Sequence, residues 1–187
     1  EANLLNTQMQ YFNEHNKIQT VFQEKNKWKQ GDILIQKDLA ETLKLIQKNG
    51  AKGFYEGKTA ELIVSEMKHG NGIITLNDLK NYKVAERKPI VFDYKGNEIV
   101  SMPLPSSGGI LLAQMLKMAG YENLEKYQQN STEAVQIMVE AERRAFADRA
   151  EFMGDPDFIT DKTSMLISDE YLRNRWNSFN KNLATPS

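Results

Sequence analysis

The chain has 187 residues, enough for one domain or part of a larger one, and its 40% hydrophobic and 26% charged residues lie near globular averages. Its 24 basic and 25 acidic residues are well mixed, so the net charge is −1 and no basic patch or acidic tail argues for nucleic acid or membrane binding. There is no cysteine, hence no disulfide and no thiol nucleophile, and no apolar run approaches the ~18 residues a membrane helix needs.

Residues 1–15 read as a polar helix with a thin apolar stripe of Leu5, Met9 and Phe12, flanked by Leu4 and Tyr11. Glu1 opens no signal-peptide pattern, so any leader the gene encodes lies upstream. Residues 16–36 are irregular and lysine-rich, with Val21, Phe22 and Trp28 as anchors and a turn at Gly31-Asp32. Asp38 is placed to cap a helix whose face carries Leu39, Leu43 and Ile46 and which stops at Asn49-Gly50. Gly53-Phe-Tyr-Glu-Gly57 reads as a turn before a second amphipathic helix, Thr59 to Met67, ended by His69-Gly70-Asn71-Gly72. Thr75 and Asp78 have the spacing of a capping pair.

After Tyr82 the periodicity changes. Residues 89–94 and 98–102 are β-rich runs around Lys95-Gly96-Asn97 and predict a hairpin, with Pro89 at an edge or boundary. Ile110 to Ala119 is almost wholly apolar, and a helix apolar all round is buried; Gly120 ends it. Ser131 is placed to cap the longest helix, which runs to about Met153. One row of that helix carries Ala134, Met138, Ala141, Ala145 and Phe152, and the next Val135, Val139, Phe146 and Met153. Asp148 falls in the first row, where an apolar residue is expected, and Arg144 four residues earlier could pair with it. Ser168 starts a last helix with Tyr171, Leu172, Trp176 and Phe179. There is no internal repeat.

Candidate chemistry is sparse. His15 and His69 are far apart in sequence and do not make a metal site, which needs three or four clustered ligands, and neither has the placement of a triad histidine. Ser106 and Ser107 lack the G-x-S-x-G elbow. Ser106-Ser107-Gly108-Gly109 could receive an anion at the start of the following helix, but a helix cap with glycines for tight packing explains it better, since no P-loop lysine is present. The carboxylate pairs Glu140/Glu142 and Asp155/Asp157 could be general acids and bases, yet such pairs are common on solvated faces and in turns. The Asp148-Arg149 neighbourhood reads as an ion-pair network fixing the long helix before it reads as catalysis.

Three segments carry a resemblance: Gly53-Phe-Tyr-Glu-Gly57 with the helix after it; Met102-Pro-Leu-Pro-Ser-Ser-Gly-Gly109; and Glu140-Ala-Glu-Arg-Arg-Ala-Phe-Ala-Asp-Arg149 with Gly154-Asp-Pro-Asp-Phe158. Their order and spacing resemble the C-terminal half of the large subunit of the γ-glutamyltranspeptidases, over roughly residues 30–187. Val84-Ala-Glu-Arg87 and Leu76-Asn-Asp-Leu79 fit the same pattern, and Leu104 departs from it, standing where many relatives carry the middle of three prolines.

The resemblance implies an N-terminal-nucleophile hydrolase. In that family a precursor cuts itself in two, and the new N-terminal threonine of the small subunit attacks a γ-glutamyl amide with its own α-amine as base. The fold class expected is therefore mainly α with a β-hairpin, contributing to an αββα sandwich when completed by the rest of the enzyme. The chain is expected as one fragment, 1–187, helical over 1–83, a hairpin over 84–102 and helical over 103–187. No catalytic, substrate-binding or metal-binding residue is carried onto it, and no cofactor is implied. The family's arginine for the substrate carboxylate lies in the earlier half of the large subunit, and the cleavage point lies beyond Ser187. The implied partners are the remaining large-subunit segment and the small catalytic subunit, with Trp28, Trp176 and the 110–119 helix expected to need their cover. The implied location is extracellular, periplasmic or at the cell surface. Two other readings stay open: an acylase or poly-γ-glutamate capsule-processing relative on the same scaffold, and a non-catalytic binding or assembly module. The sequence downstream of residue 187 separates the module from the enzyme, and the small subunit's pocket separates the acyl substrates.

Overall fold

A computed structural model describes residues 1–16 and 18–183. The chain divides into two compact units, Glu1–Val84 and Ala85–Ser187. Among the described residues no helix is long and apolar enough to cross a membrane.

The first unit is helical: α1 (Ala2–His15), α2 (Lys37–Asn49), α3 (Lys52–Tyr55), α4 (Gly57–His69) and α5 (Leu76–Asn81), with a single 3-10 turn at Val21–Gln23. α1 is tied to the irregular segment by Asn6, whose side chain accepts from the Trp28 N–H (2.7 Å) and donates to the Trp28 carbonyl (2.9 Å). The Trp28 indole N–H donates to the Phe22 carbonyl at 2.8 Å, so the polar edge of this large ring is satisfied as it is buried. α2 begins at Lys37, not after Asp38; Gln36 stands at the cap and Asp38 lies inside the first turn. A carboxylate is favourable there too, against the positive end of the helix dipole. Thr75 and Asp78 form the expected reciprocal cap of α5. Gly53 is buried where a Cβ would overlap the Leu45 carbonyl oxygen, and the buried Thr59 hydroxyl donates to the Gly53 carbonyl at 3.0 Å. These contacts lock the α2–α3–α4 corner and account for the glycine that opens the first family-like segment.

The second unit holds the hairpin, β1 (Ile90–Tyr94) and β2 (Asn97–Ser101), then α6 (Gly108–Gly120), a 3-10 turn at Leu124–Lys126, α7 (Thr132–Phe152), α8 (Thr163–Leu166) and α9 (Asp169–Trp176). The strands pair antiparallel in the register Ile90↔Ser101 to Tyr94↔Asn97. Lys95 and Gly96 both have positive φ, 52° and 75°, the requirement of a tight two-residue hairpin loop whose twist matches the strands. Ile90 and Phe92 face inward while Val91 and its partner Val100 face out.

α6 is the centre of this unit. One apolar cluster joins Leu111, Met118 and Ala119 of α6 to Ile137, Ala141 and Ala145 of α7 and to Leu172 and Trp176 of α9. The second joins Ile110 and Ala113 of α6 to Ile90 and Phe92 of β1, to Leu104 and to Leu166 of α8. A helix packed on two sides must be apolar on two sides, which is the pattern of residues 110–119. The helix starts at Gly108, two residues before the apolar run. Trp28 (4% exposed), Trp176 (7%) and most of α6 are thus covered within the chain, contrary to the expectation that they await partners. Exposed apolar residues lie elsewhere, among them Ile73, Val84 and Phe158 in the connecting segments, Leu39 and Leu43 of α2, Val135, Val139 and Phe146 of α7, and Val91 and Val100 of the hairpin.

Candidate functional site

The Met102–Gly109 segment joins β2 to α6 through a cis Leu104–Pro105 bond. Leu104 is fully buried in the second apolar cluster. Ser106 Oγ accepts from the Gly108 N–H at 3.3 Å, and Ser107 Oγ accepts from Arg149 Nε at 3.1 Å. The two glycines differ. A Cβ on Gly109 would overlap the Met102 carbonyl oxygen and lie 3.1 Å from Ile90 Cδ1, whereas one on Gly108 would have its nearest neighbour, Ser106 Oγ, at 3.5 Å. Gly109 therefore lets the first turn of α6 lie directly on the end of β2. Neither serine faces a histidine or a carboxylate base in these bonds. A cavity of 320 Å³ lined by Pro105, Ser107, Arg149, Ala150, Met153 and Gly154 opens beside them, with no acid, base or nucleophile–base pair on its wall.

The family-like segments of this unit meet. Arg149 of the third segment reaches Ser107 of the second. Arg87 pairs with Asp157 at 2.9 Å and with Asp155 at 3.7 Å, so the paired carboxylates after α7 tie down the approach to β1. Glu142 is exposed, but Glu140 is not on a solvated face: it is 3% exposed and accepts from Arg144 Nη1 at 2.6 Å. The buried face of α7 therefore turns further toward Ile137, Glu140 and Arg144 than an apolar count implies, and Val135, Val139 and Phe146 turn out. The Arg144–Asp148 pair expected from the i,i+4 spacing is replaced by two others. Arg144 takes Glu140, and Asp148 Oδ1 takes Arg175 Nη2 of α9 at 2.9 Å.

Asp148 is buried at the meeting of α6, α7 and α9. Its Oδ2 accepts from Gln114 Nε2 at 2.9 Å, and Gln114 also donates to the Leu166 carbonyl at 3.1 Å. Burial pushes the Asp148 carboxyl above the usual aspartate value, against the opposing pull of Arg175, Tyr171 and Gln114. Tyr171 is pushed up to about 12 by its own burial and then by the Asp148 charge it bonds to. This network could not have been assembled from sequence. Gln114, the polar residue inside an otherwise apolar stretch, was its visible signal. The network ties α6, α7, α8 and α9 together, and none of these bonds is to a nucleophile.

His15 lies at the end of α1 with its ring against Tyr11, and His69 ends α4. Among the described residues no group of three or more histidines and carboxylates could hold a metal ion.

Among the described residues, the second unit sets its helices about one hairpin, with a motif-bearing turn leading into a buried helix. The family model for gamma-glutamyltranspeptidase matches residues 1–187, and the chain belongs to the γ-glutamyltranspeptidase family. It is 44% identical over 159 residues to the glutathione hydrolase proenzyme of Escherichia coli (strain K12), covering 85% of this chain and 27% of that protein. It is 42% identical over 142 residues to the capsule biosynthesis protein CapD proenzyme of Bacillus anthracis, covering 76% of this chain and 26% of that one. The solved γ-glutamyltranspeptidase of Helicobacter pylori superposes with a TM-score of 0.85 at 36% identity, over 99% of this chain and 54% of that one. The chain thus spans about a quarter of the length of these two curated relatives.

Proposed function

We propose that the chain is the C-terminal half of the large subunit of a γ-glutamyltransferase/hydrolase. The observation that carries this reading is the likeness of nearly the whole chain, both units included, to a solved γ-glutamyltranspeptidase. The precursor cuts itself, and the threonine exposed at the start of the small subunit is the nucleophile. Its hydroxyl oxygen forms an ester with the γ-glutamyl carbonyl carbon as the C–N bond breaks. Its α-amine takes the hydroxyl proton and passes it to the leaving amine, and an oxyanion hole holds the tetrahedral intermediate. Water or an amino acid or peptide amine then takes the acyl group. No metal or cofactor is needed for these steps.

In this reading the chain supports and partly walls the active site without supplying a reacting group. Its buried ionisable groups are consistent with that role, since Glu140 and Arg144 pair with each other and Asp148 pairs with the half-buried Arg175. The exposed apolar stripes of α2, α7 and the hairpin face the rest of the αββα sandwich. The family membership favours an extracellular, periplasmic or cell-surface setting for the complete protein.

The test is turnover of a γ-glutamyl anilide. The purified 187-residue chain is expected to give none, and co-assembly with the remaining large-subunit segment and the small subunit to restore it. Turnover by the chain alone would sink the reading. The same assembled enzyme, offered a glutaryl-type acyl amide and poly-γ-glutamate in parallel, reads out the acyl specificity.

A further inference from the structure

Residues 177–183 form no helix or strand, yet residues 176–181 are held at point after point. Arg144 is the hub. It is 5% exposed, and its guanidinium donates from Nε to the Arg175 carbonyl (3.1 Å), from Nη2 to Ser178 Oγ (2.8 Å) and from Nη1 to Glu140. Its plane also lies over the Trp176 ring, 5.3 Å from the centroid. Arg175 returns the bond, donating from Nη2 to the Arg144 carbonyl at 3.2 Å. Ser178 Oγ donates in turn to the Arg175 carbonyl.

A second anchor sits on Glu122. One carboxylate oxygen accepts from the Trp176 indole N–H at 3.0 Å, and the other pairs with Lys181 Nζ at 2.9 Å. Lys181 also reaches the Tyr127 hydroxyl at 3.2 Å. Although burial raises it, the bonds from Lys181 and Trp176 hold the Glu122 carboxyl below the ordinary glutamate value, so it stays charged for both partners. Phe179 stacks on Trp176 at 4.5 Å, and Gln136 donates to the Asn180 carbonyl at 3.4 Å.

A helix needs one buried apolar face to dock, and α9 already has it in Leu172 and Trp176. The bonds beyond Trp176 add little to that docking. What they define is the course of the strand of chain that leaves it. A fork-shaped guanidinium that joins α7 to α9 and to the residue just past it is a device for geometry, since each bond restricts direction as well as distance.

We propose that Arg144 and Glu122 are positioning residues for precursor cleavage, a clamp that sets the direction in which the chain leaves α9 toward the processing junction. The proposal rests on the reading of this chain as part of a self-cutting precursor, in keeping with the proenzyme form of its relatives. Self-cleavage is intramolecular, so its rate depends on how well the attacking hydroxyl and the scissile carbonyl are pre-aligned, and a shift of about 1 Å can cost about a hundredfold. Once the bond is cut the clamp's task is over.

The experiment follows conversion of the full-length precursor into two subunits by gel over time. The variants are Arg144→Lys, which keeps the charge but loses the fork, and the pair Ser178→Ala with Lys181→Met, which releases the segment while Arg144 keeps Glu140 and Glu122 keeps the Trp176 indole N–H. Both are expected to convert at least about tenfold more slowly than wild type. The same substitutions are placed in enzyme assembled from two separately encoded subunits, the small one beginning at its threonine. There kcat and KM for the γ-glutamyl anilide are expected to stay within about twofold of wild type. Conversion of both variants at the wild-type rate overturns the clamp, as does a loss of activity in the two-subunit enzyme that matches the loss in conversion, which marks a merely structural role. A wild-type precursor that never cuts itself overturns the underlying reading, and the clamp with it.

Discussion

Gly108 and Gly109 are neighbours in the sequence and opposites in the structure. Gly109 sits where any side chain would meet the Met102 backbone, so Gly109→Ala forces β2 and α6 apart and is expected to cost about 1–3 kcal/mol. Gly108 has room for a methyl group in the first turn of α6, and Gly108→Ala is expected to be neutral or to stabilise by up to about 1 kcal/mol. Denaturant midpoints of the two variants test this, and equal midpoints would count against the close-approach argument. Tyr171 supplies a pH test. Its folded value is raised to about 12 from 10.0, so its neutral form is favoured by the fold. The stability this contributes is fully present below pH 10 and is lost as pH rises through about 12. Burial also raises the Tyr121 phenol, so alkaline difference absorbance should show late-titrating phenols of which the Tyr171 one disappears in Tyr171→Phe, and the variant should lose less stability than wild type over that interval.

Among the described helices, α5, α7 and α9 are fixed at their starts by side chains that sequence spacing identifies. Ser131 Oγ accepts from the Ala134 N–H and opens α7, the longest helix of the chain. Ser168 does the same for α9 through the Tyr171 N–H. Each serine-to-alanine change is expected to cost about 1 kcal/mol, measured as a shift in midpoint with unchanged slope. α6 follows another logic: it has no side-chain cap from Ser107, whose hydroxyl is turned to Arg149. Its stability comes from burial on two sides, so polar substitution at Ile110 or Ala113 should damage it far more than a change at Ser107.

At the scale of the whole molecule the buried apolar residues are unevenly shared. Both large clusters lie in the second unit, while the first unit buries chiefly Trp28, Ala60 and Val64. A small unit with so little core is expected to be marginal by itself. Residues 85–187 expressed alone should therefore melt cooperatively, and residues 1–84 alone should not. Circular dichroism melts of the two pieces check this, and a cooperative transition of comparable sharpness in 1–84 would contradict it.

The sequence by itself determined the helices with clean periodicity, the Lys95-Gly96 hairpin, the serine and threonine caps and the family-like segments, because each is a matter of local spacing and local backbone preference. It also marked Asp148 as a charge that needed a partner. Which partner it took, Arg175 rather than Arg144, only the tertiary structure decided. So too for the burial of Glu140, the cover of both tryptophans and the different tasks of Gly108 and Gly109. The physical reason is common to all four. Spacing along one helix shows which side chains share a face, but a buried charge or a close approach is settled by the element that packs against that face, and Arg175 of α9 lies more than thirty residues downstream of Glu140 and Arg144.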